Sequence, residues 1–314
     1  PTPPPVTSGG VDAAVPSTAI ADLQQVPELS EGLQLLERAR QGDLAYYDEE
    51  IDAGDRAEYY GELLDMVDSL TPEKLFDQLK ELVRRTHRRT LSYNPKAHVY
   101  PWVDLQPDLQ IRSLYSQLEF EPETIIQEDL RVDQQRRDRL QELRAMAGSS
   151  QFLELDVLEN SLPYNCEHVV PQSWFGKKEP MRGDLHHLFA CEVECNSFRG
   201  NTPFYDFPDF EEAIRSNCGK SENQAKKFEP ENGKGEAARA TLYFLLRYPG
   251  FINNQQQEYT ADRLKVLLDW HQRFPVTEHE KHRNAAIFQK QGNRNPLIDF
   301  PEWAAAIDFT LGLG

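Results

Sequence analysis

The sequence contains no long apolar run and comparatively few basic residues. No stretch approaches the run of about 18 apolar residues that a membrane helix requires, although 39% of the 314 residues are hydrophobic. The 34 basic residues are outnumbered by 52 acidic ones, which gives a net charge of -18. These shortages exclude a membrane helix and argue against coating of nucleic acid or an anionic membrane by bulk attraction. We therefore expect a soluble protein that meets any polyanion through a local surface.

Cysteine is scarce, and no internal repeat is present. The four cysteines fit two disulfides, a metal site or reduced thiols, so their number leaves the redox compartment open. The chain also lacks an initial methionine, from which we expect a processed or shortened chain with any signal peptide already removed. The cysteines are Cys166, Cys191, Cys195 and Cys218.

The composition along the chain indicates one α+β domain behind an irregular leader. Residues 1–27 are rich in Pro, Ser, Gly and Ala and are predicted to be a disordered leader or linker. Residues 28–314 are predicted to be mostly helical around a small β element. Thr71 and Pro72 predict an N-cap and a first helical position. The predicted helices are 28–40, two within 56–91, 128–146, 235–250 and 261–274.

The centre of the chain, about 160–206, predicts the order strand, strand, helix. The first strand is "CEHVV" (166–170), which ends at a proline. A polar loop with Lys177, Lys178 and Arg182 leads to a second strand, "DLHHLFA" (184–190). The helix that follows, "CEVECNSFRGN" (191–201), is predicted to end at Gly200.

Several side chains of this motif suit phosphodiester hydrolysis. Glu192, Asn196 and Arg199 are spaced to share one helix face. Glu167 and Asn196 offer oxygen ligands that suit Mg²⁺ or Ca²⁺ and suit zinc poorly. The neighbouring His168 can take a proton from water as a neutral imidazole. Arg199 or the loop residue Arg182 can hold a phosphate oxygen.

The same histidines and the Glu-His pair also have purely structural interpretations. A lone Glu-His pair is more often structural than catalytic, and His186 and His187 are more often core residues than ligands. Glu167 and His168 are also adjacent in a strand, so a regular strand would point them to opposite faces. A bend or bulge there, or a metal reached from the edge of the backbone, would let both act at one site.

A zinc site is the alternative chemistry. Cys166, Cys191 and Cys195 flank the motif, and His168 or His187 could complete a tetrahedral zinc site. In that case the chain would be a zinc-stapled module that binds a partner. A third possibility is a catalytically inactive module for binding nucleic acid or a partner.

Four stretches resemble the bacterial endonuclease I family, namely "EHVVPQSWF", "MRGDLHHLF", "NSFRGN" and "HEKHRNAAIFQKQGNRNPLIDFPEW". The resemblance extends from about "AEYYGELL" to Trp303. It implies a secreted or periplasmic nuclease with a ββα-metal (His-Me finger) core. It also implies that Glu167 and Asn196 bind the metal and that His168 is the general base.

The resemblance assigns the remaining site residues less directly. Arg182 or Arg199 matches the phosphate-contacting arginine, while Arg239 and Asn295 are supporting candidates for which packing is the favoured role. We expect one Mg²⁺ per site, with Mn²⁺ or Ca²⁺ as substitutes, in a monomer. The expected activity is endonucleolytic cleavage of DNA, and of RNA as well, without strong sequence preference, because no recognition helix or zinc-finger module is evident.

Overall fold

The computed structural model describes residues 27–145, 164–209, 211–222, 226–253 and 259–314. The predicted leader 1–27 lies outside the described residues except for Pro27, which begins the first helix. None of the helices described combines the length and the apolar character needed to cross a membrane. The architecture is α+β, with helices around small antiparallel sheets.

The N-terminal part is helical, as predicted. The helix expected at 28–40 is present, and Thr71 caps α4 by accepting from the backbone N–H of Lys74. Proline at the first position of α4 also agrees with the prediction. The first of the two helices predicted within 56–91 ends at Tyr60, and a short helix, Leu63–Met66, separates it from the second, which begins at Pro72. The bounds are α1 Pro27–Arg40, α2 Glu49–Tyr60, α3 Leu63–Met66 and α4 Pro72–Thr86.

A short helix, a two-stranded sheet and a long polar helix precede the centre of the chain. The strands β1 and β2 pair antiparallel, with Ile111 opposite Phe120. The long helix begins six residues before the predicted position 128, because Pro122 suits the first turn of a helix. The bounds are α5 Pro95–His98, β1 Ile111–Arg112, β2 Glu119–Phe120 and α6 Pro122–Ala145.

The central strand, strand, helix order is present with shifted bounds. The hairpin consists of β3 (Tyr164–His168) and β4 (Leu188–Glu192), and α7 (Val193–Arg199) follows directly. The prediction that β4 covers 184–190 is wrong. The Asp184 side chain accepts the backbone N–H of His186 and closes a 3₁₀ turn over Leu185–His187. The extended conformation can therefore begin only at Leu188.

A second antiparallel sheet follows α7 and was not predicted. Its strands are β5 (Ile214–Ser216), β6 (Gly219–Glu222) and β7 (Lys227–Pro230), which pair in that order. The disulfide between Cys195 and Cys218 joins α7 to the turn between β5 and β6. The sheet is therefore tied covalently to the helix of the central motif.

The C-terminal helices complete two apolar clusters on either side of the hairpin. Phe189 and Cys191 of β4 belong to one cluster, whereas Leu188 and Ala190 belong to the other. Alternate residues of one strand thus enter different clusters, as the period of a strand requires. The helices are α8 Lys234–Arg247, α9 Ala261–Arg273, α10 Glu278–Gln291 and α11 Pro296–Asp299.

Candidate active site

The β3–β4 hairpin separates the two neighbouring side chains at the centre of the motif. Glu167 lies opposite Phe189 and His168 lies opposite Leu188, in unbroken antiparallel register. Adjacent residues of a regular strand point to opposite faces. The expected divergence of Glu167 and His168 is therefore present, and no bulge interrupts the paired residues of β3.

Glu167 is a buried carboxylate whose two oxygens have different surroundings. Its Oε1 accepts the Tyr115 hydroxyl at 2.6 Å and Nη1 of Arg199 at 3.1 Å. Within the part of the chain that the structure describes, no donor meets Oε2. Burial raises the pKa of the carboxyl above its ordinary value, and Arg199 and the Tyr115 hydrogen bond act in the opposite direction. One oxygen is fixed and the other remains available.

Arg199, at the end of α7, fastens this helix to the end of β3. Its Nη1 donates to the backbone oxygen of His168 at 3.1 Å, and its Nη2 donates to that of Val169 at 2.7 Å. The side chain is only 1% exposed, and Gly200 ends the helix with a positive φ of 59°. The guanidinium therefore lies in the interior, where it holds Glu167 and the strand end.

Asn196 lies one turn before Arg199 on the same helix. Residues three apart share a helix face, so the contact between Arg199 and Glu167 places the face that carries Asn196 above β3. Asn196 is half-buried. The prediction that Glu192 shares this face within the helix is wrong, because Glu192 precedes α7 with an extended backbone (ψ 150°).

The imidazole of His168 is held in one orientation. Its Nε2 lies 2.9 Å from the backbone oxygen of Arg182. Because a carbonyl can only accept, Nε2 carries the proton and Nδ1 keeps its lone pair. No described residue hydrogen-bonds to Nδ1. Burial, and next the neighbouring His187, lower the pKa of His168 well below its ordinary value, so the ring is neutral at pH 7 and can accept a proton.

Arg182 lies in the loop between the strands, beside His168. Its Nε donates to Oε1 of Gln172 at 3.0 Å, and its guanidinium carbon is 4.9 Å from the centre of the Tyr93 ring. The Tyr93 ring is in turn 5.0 Å from the His168 ring. Arg182 is partly exposed, and none of the described residues accepts a hydrogen bond from Nη1 or Nη2. This guanidinium can therefore reach a ligand.

The donor set fits a hard divalent cation. Glu167 offers Oε2, which no described donor occupies, and Asn196 on the facing helix offers an amide oxygen. Carboxylate and amide oxygens are the ligands that Mg²⁺ and Ca²⁺ prefer, with water and ligand oxygens in the remaining positions.

The zinc alternative is wrong for the proposed ligands. Cys195 is bonded to Cys218, and its sulfur is therefore no thiolate. Cys166 and Cys191 are reduced and buried but belong to different apolar clusters, on opposite faces of the hairpin. Glu192 lies near the two disulfide sulfurs, the one metal-like grouping of His, Cys and acidic side chains among the described residues, but a disulfide is a poor metal ligand.

Four further residues named from the sequence have packing roles. His186 and His187 are buried, and their Nε2 atoms meet the backbone oxygens of Asn293 and Met181. Arg239 forms a buried pair with Glu280, at 2.5 and 2.8 Å. Asn295 caps α11 through the backbone N–H of Leu297. The expectation that these residues support the fold agrees with this placement.

Three residues around the site escaped sequence reasoning. Tyr115 lies 52 positions before Glu167 in the chain, and no spacing rule connects them. Tyr93 and Gln172, which contact Arg182, are equally ordinary in sequence. Tyr115 lies within the span of the resemblance, which indicated no role for it.

The chain is similar to proteins named as nucleases. The family described as Endonuclease I matches residues 72–302. The chain is 34% identical over 158 residues to an extracellular ribonuclease of Bacillus subtilis, a match that covers 46% of this chain and 54% of the relative. It is 29% identical over 154 residues to an extracellular deoxyribonuclease of Aeromonas hydrophila, covering 42% and 64%.

The match to the family extends well beyond the central motif. It begins at the first helical position of α4 and ends in the C-terminal segment after α11. The pairwise matches are shorter, and the chain spans about half the length of the Bacillus ribonuclease that it matches. Because the family match covers most of the sequence, the chain belongs to the endonuclease I family.

Proposed function

We propose that residues 28–314 form a metal-dependent endonuclease domain that hydrolyses phosphodiester bonds of DNA and RNA without strong sequence preference. The observation that carries this proposal is that Glu167 and His168 of β3 are each held through one atom and keep a second atom available. Glu167 has one oxygen fixed and one oxygen available, and His168 has Nε2 fixed and Nδ1 available. We regard β3, β4 and α7 as a ββα-metal (His-Me finger) core.

The surroundings of each residue determine the role that we propose for it. His168, through Nδ1, takes the proton from the attacking water. Glu167 and Asn196 would hold one Mg²⁺, or Mn²⁺ or Ca²⁺ in its place. When bound, this ion stabilises the negative charge that develops on the phosphate and on the leaving oxygen.

The two candidate arginines have different roles in this proposal. Arg182 binds a non-bridging phosphate oxygen, because its terminal nitrogens have no acceptor among the described residues. Arg199 is a positioning residue, because burial and three protein acceptors occupy it. Tyr115 has the same role for Glu167.

The relatives support both substrates and the location. One is named an extracellular ribonuclease and others extracellular and periplasmic deoxyribonucleases. We infer that this chain acts on both nucleic acids, as a monomer, after secretion or in the periplasm. The phosphodiester is common to DNA and RNA, and so a site that contacts phosphates suits either.

The test is cleavage of supercoiled plasmid and of single-stranded RNA with Mg²⁺ and with EDTA. We expect Mg²⁺-dependent cleavage of both. In His168→Ala the rate should fall about 10²- to 10⁴-fold, the range that a general base contributes. The measurement is initial rate per mole of folded protein.

His271→Ala is the matched control. His271 is also buried, at 7% exposure against 5% for His168, and its Nε2 also meets a backbone oxygen, that of Pro301, at 2.8 Å. It lies on α9, away from the site, so the specific rate should stay within a few-fold of wild type. Near-normal cleavage by folded His168→Ala would refute the mechanism. Binding without metal-dependent cleavage would instead favour the inactive module.

A further inference from the structure

Exposed cations without ion pairs border the candidate site. Some exposed cations elsewhere form ion pairs, for example Arg84 with Glu81 and Arg273 with Asp269, whereas others such as Arg38, Lys74 and Arg215 form none with a described residue. Arg88, Lys177 and Lys178 are exposed, and none of them forms an ion pair with another described residue. In a chain with a net charge of -18, these three are distinguished by the segments that carry them, which adjoin Tyr93 and Arg182.

Two separate segments carry these cations, and the structure fastens them together. Glu179 accepts the backbone N–H of Gly183 at 2.8 Å through Oε2 and that of Tyr93 at 3.4 Å through Oε1. A Cβ on Gly183 would lie 1.9 Å from the backbone oxygen of Leu91, so only glycine allows this approach. The segment after α4 and the loop before β4 therefore form one surface.

This surface continues into the site. The Tyr93 ring lies 5.0 Å from the His168 ring and 4.9 Å from the Arg182 guanidinium carbon. Arg88 precedes Leu91 by three residues, a span of at most about 10 Å. The backbone oxygen of Lys178 accepts the backbone N–H of Arg182 at 3.0 Å. The three cations thus belong to the two segments that hold Tyr93 and Arg182 beside His168.

The backbone at the loop tip is unusual. Lys177 has a φ of 55°, next to Gly176 with a φ of 66°. Residues other than glycine adopt this left-handed region uncommonly, and such strain concentrates at functional sites. The conformation holds two exposed lysines at the tip of a loop that is anchored at both ends.

We propose that Arg88, Lys177 and Lys178 form a phosphate track, which binds backbone phosphates on either side of the bond that is cut. This inference rests on the proposed function and specifies how the polynucleotide lies on the protein. The net negative charge opposes binding over most of the surface, whereas the track supplies local counter-charge. Each phosphate contact releases counterions, which makes binding depend on salt with a slope of about -0.9 per contact for duplex DNA.

The test separates binding from cleavage. Binding of a labelled duplex is followed by fluorescence anisotropy in EDTA, from about 50 to about 200 mM salt. Plasmid cleavage is followed with Mg²⁺. In a triple variant with Arg88→Ala, Lys177→Asn and Lys178→Ala, the slope of log Kd against log salt should fall by about 0.9 per substitution. KM should rise while kcat stays close to wild type. Asparagine is chosen at 177 because it tolerates the left-handed backbone.

A second triple variant, Arg38→Ala with Lys74→Ala and Arg215→Ala, removes the same charge from other elements and should keep the wild-type slope. The inference is overturned if the track variant keeps that slope, or if both triple variants change it equally, which would indicate net charge alone. Salt-dependent binding through the track with no cleavage by the wild type would refute the proposed function and leave the track intact. Cleavage by the wild type together with a wild-type slope in the track variant would refute the track and leave the proposed function intact.

Discussion

The Glu167 carboxylate shows how single residues prepare the site. Tyr115 and Arg199 both donate to the same oxygen, Oε1, so the rotation of the carboxylate is fixed while Oε2 stays available. A buried carboxylate has an unfavourable charge unless donors or a cation compensate it. The two donors supply part of that compensation, and in our proposal the metal supplies the rest.

Removal of the Tyr115 hydroxyl should weaken metal binding more than it weakens the fold. Partners that orient a metal ligand typically contribute 10- to 100-fold to metal affinity or activity. We therefore expect Tyr115→Phe to require roughly 10- to 100-fold more Mg²⁺ for half-maximal cleavage. The measurement is plasmid cleavage rate against Mg²⁺ concentration.

Tyr60→Phe is the control for that experiment. The Tyr60 hydroxyl also donates to a buried carboxylate, Oδ2 of Asp299, at 2.7 Å, but Asp299 belongs to α11 and is no candidate ligand. This variant should lose stability, about 1.5 to 3 kcal/mol for a hydrogen bond to a charged group, and keep the wild-type Mg²⁺ curve. Identical Mg²⁺ curves for Tyr115→Phe and the wild type would show that Tyr115 only packs.

At the scale of the element, the turn before β4 sets the register of the hairpin. Asp184 accepts from Tyr243 at 2.8 Å, from Tyr248 at 2.9 Å and from Gln291 at 3.0 Å, besides capping the turn. Four donors converge on one buried carboxylate. The turn therefore starts at a fixed point, and the strand that pairs with Glu167 and His168 starts four residues later.

Asp184→Asn should destabilise the protein, because the amide places a donor where two hydroxyls donate. We expect the free energy of unfolding to fall by about 1 to 3 kcal/mol, as for a buried polar group left without its partner. Chemical denaturation followed by circular dichroism measures it. Asp308, which is half-buried, has the same capping role in the 3₁₀ turn at Phe309–Gly312, and Asp308→Asn should be nearly neutral because Asn caps as well as Asp. Equal losses in the two variants would contradict the role given to this network.

The sequence predicted elements where local signals act and failed where distant residues decide. Thr71 with Pro72 located the start of α4, and Gly200 located the end of α7, because caps are local. The predicted start of β4 was wrong because the turn before this strand depends on the hydrogen bonds that Tyr243 and Gln291 donate to Asp184. The sheet β5–β7 gave no strand pattern because its strands are short and carry many charged residues.

The residues of the candidate site show the same difference between local signals and distant contacts. The resemblance indicated Glu167, His168 and Asn196, and the placement of Arg199 against Glu167 is consistent with that set. It left Arg182 and Arg199 equivalent, and only burial distinguishes the exposed guanidinium from the enclosed one. Tyr115 could not be found, because the contact depends on the tertiary fold.

At the scale of the molecule, buried arginine–carboxylate pairs join segments that are far apart in sequence. Arg199 meets Glu167, Arg239 meets Glu280, and Arg294 meets both Asp52 and Asp299. Arg294 and Asp52 are 242 positions apart. Removal of one partner of such a pair leaves a buried charge and costs about 3 to 5 kcal/mol. These pairs therefore hold distant segments of the chain together through the interior.

Buried histidines outside the site should make the whole molecule sensitive to mild acid. Burial lowers the pKa of His87, His186, His187 and His271, that of His186 to about 3. Between pH 6.5 and about 5, the unfolded chain therefore binds protons that the folded chain does not. The free energy of unfolding should be constant above pH 6.5 and should fall below it, by at most about 1.4 kcal/mol per pH unit for each histidine.

His271→Gln tests this origin of the acid sensitivity. Burial is the main cause of the lowered pKa of His271. The hydrogen bond to the Pro301 carbonyl and the charge of Glu280 raise this pKa, whereas the charge of Arg239 lowers it further. Glutamine keeps an amide donor for that carbonyl but does not titrate, so urea denaturation from pH 7.5 to 5 should give a slope shallower by up to about 1.4 kcal/mol per pH unit. Equal slopes for His271→Gln and wild type would mean that His271 is not a source of the acid sensitivity. A wild-type stability that rises on acidification would mean that relief of the -18 charge outweighs histidine protonation.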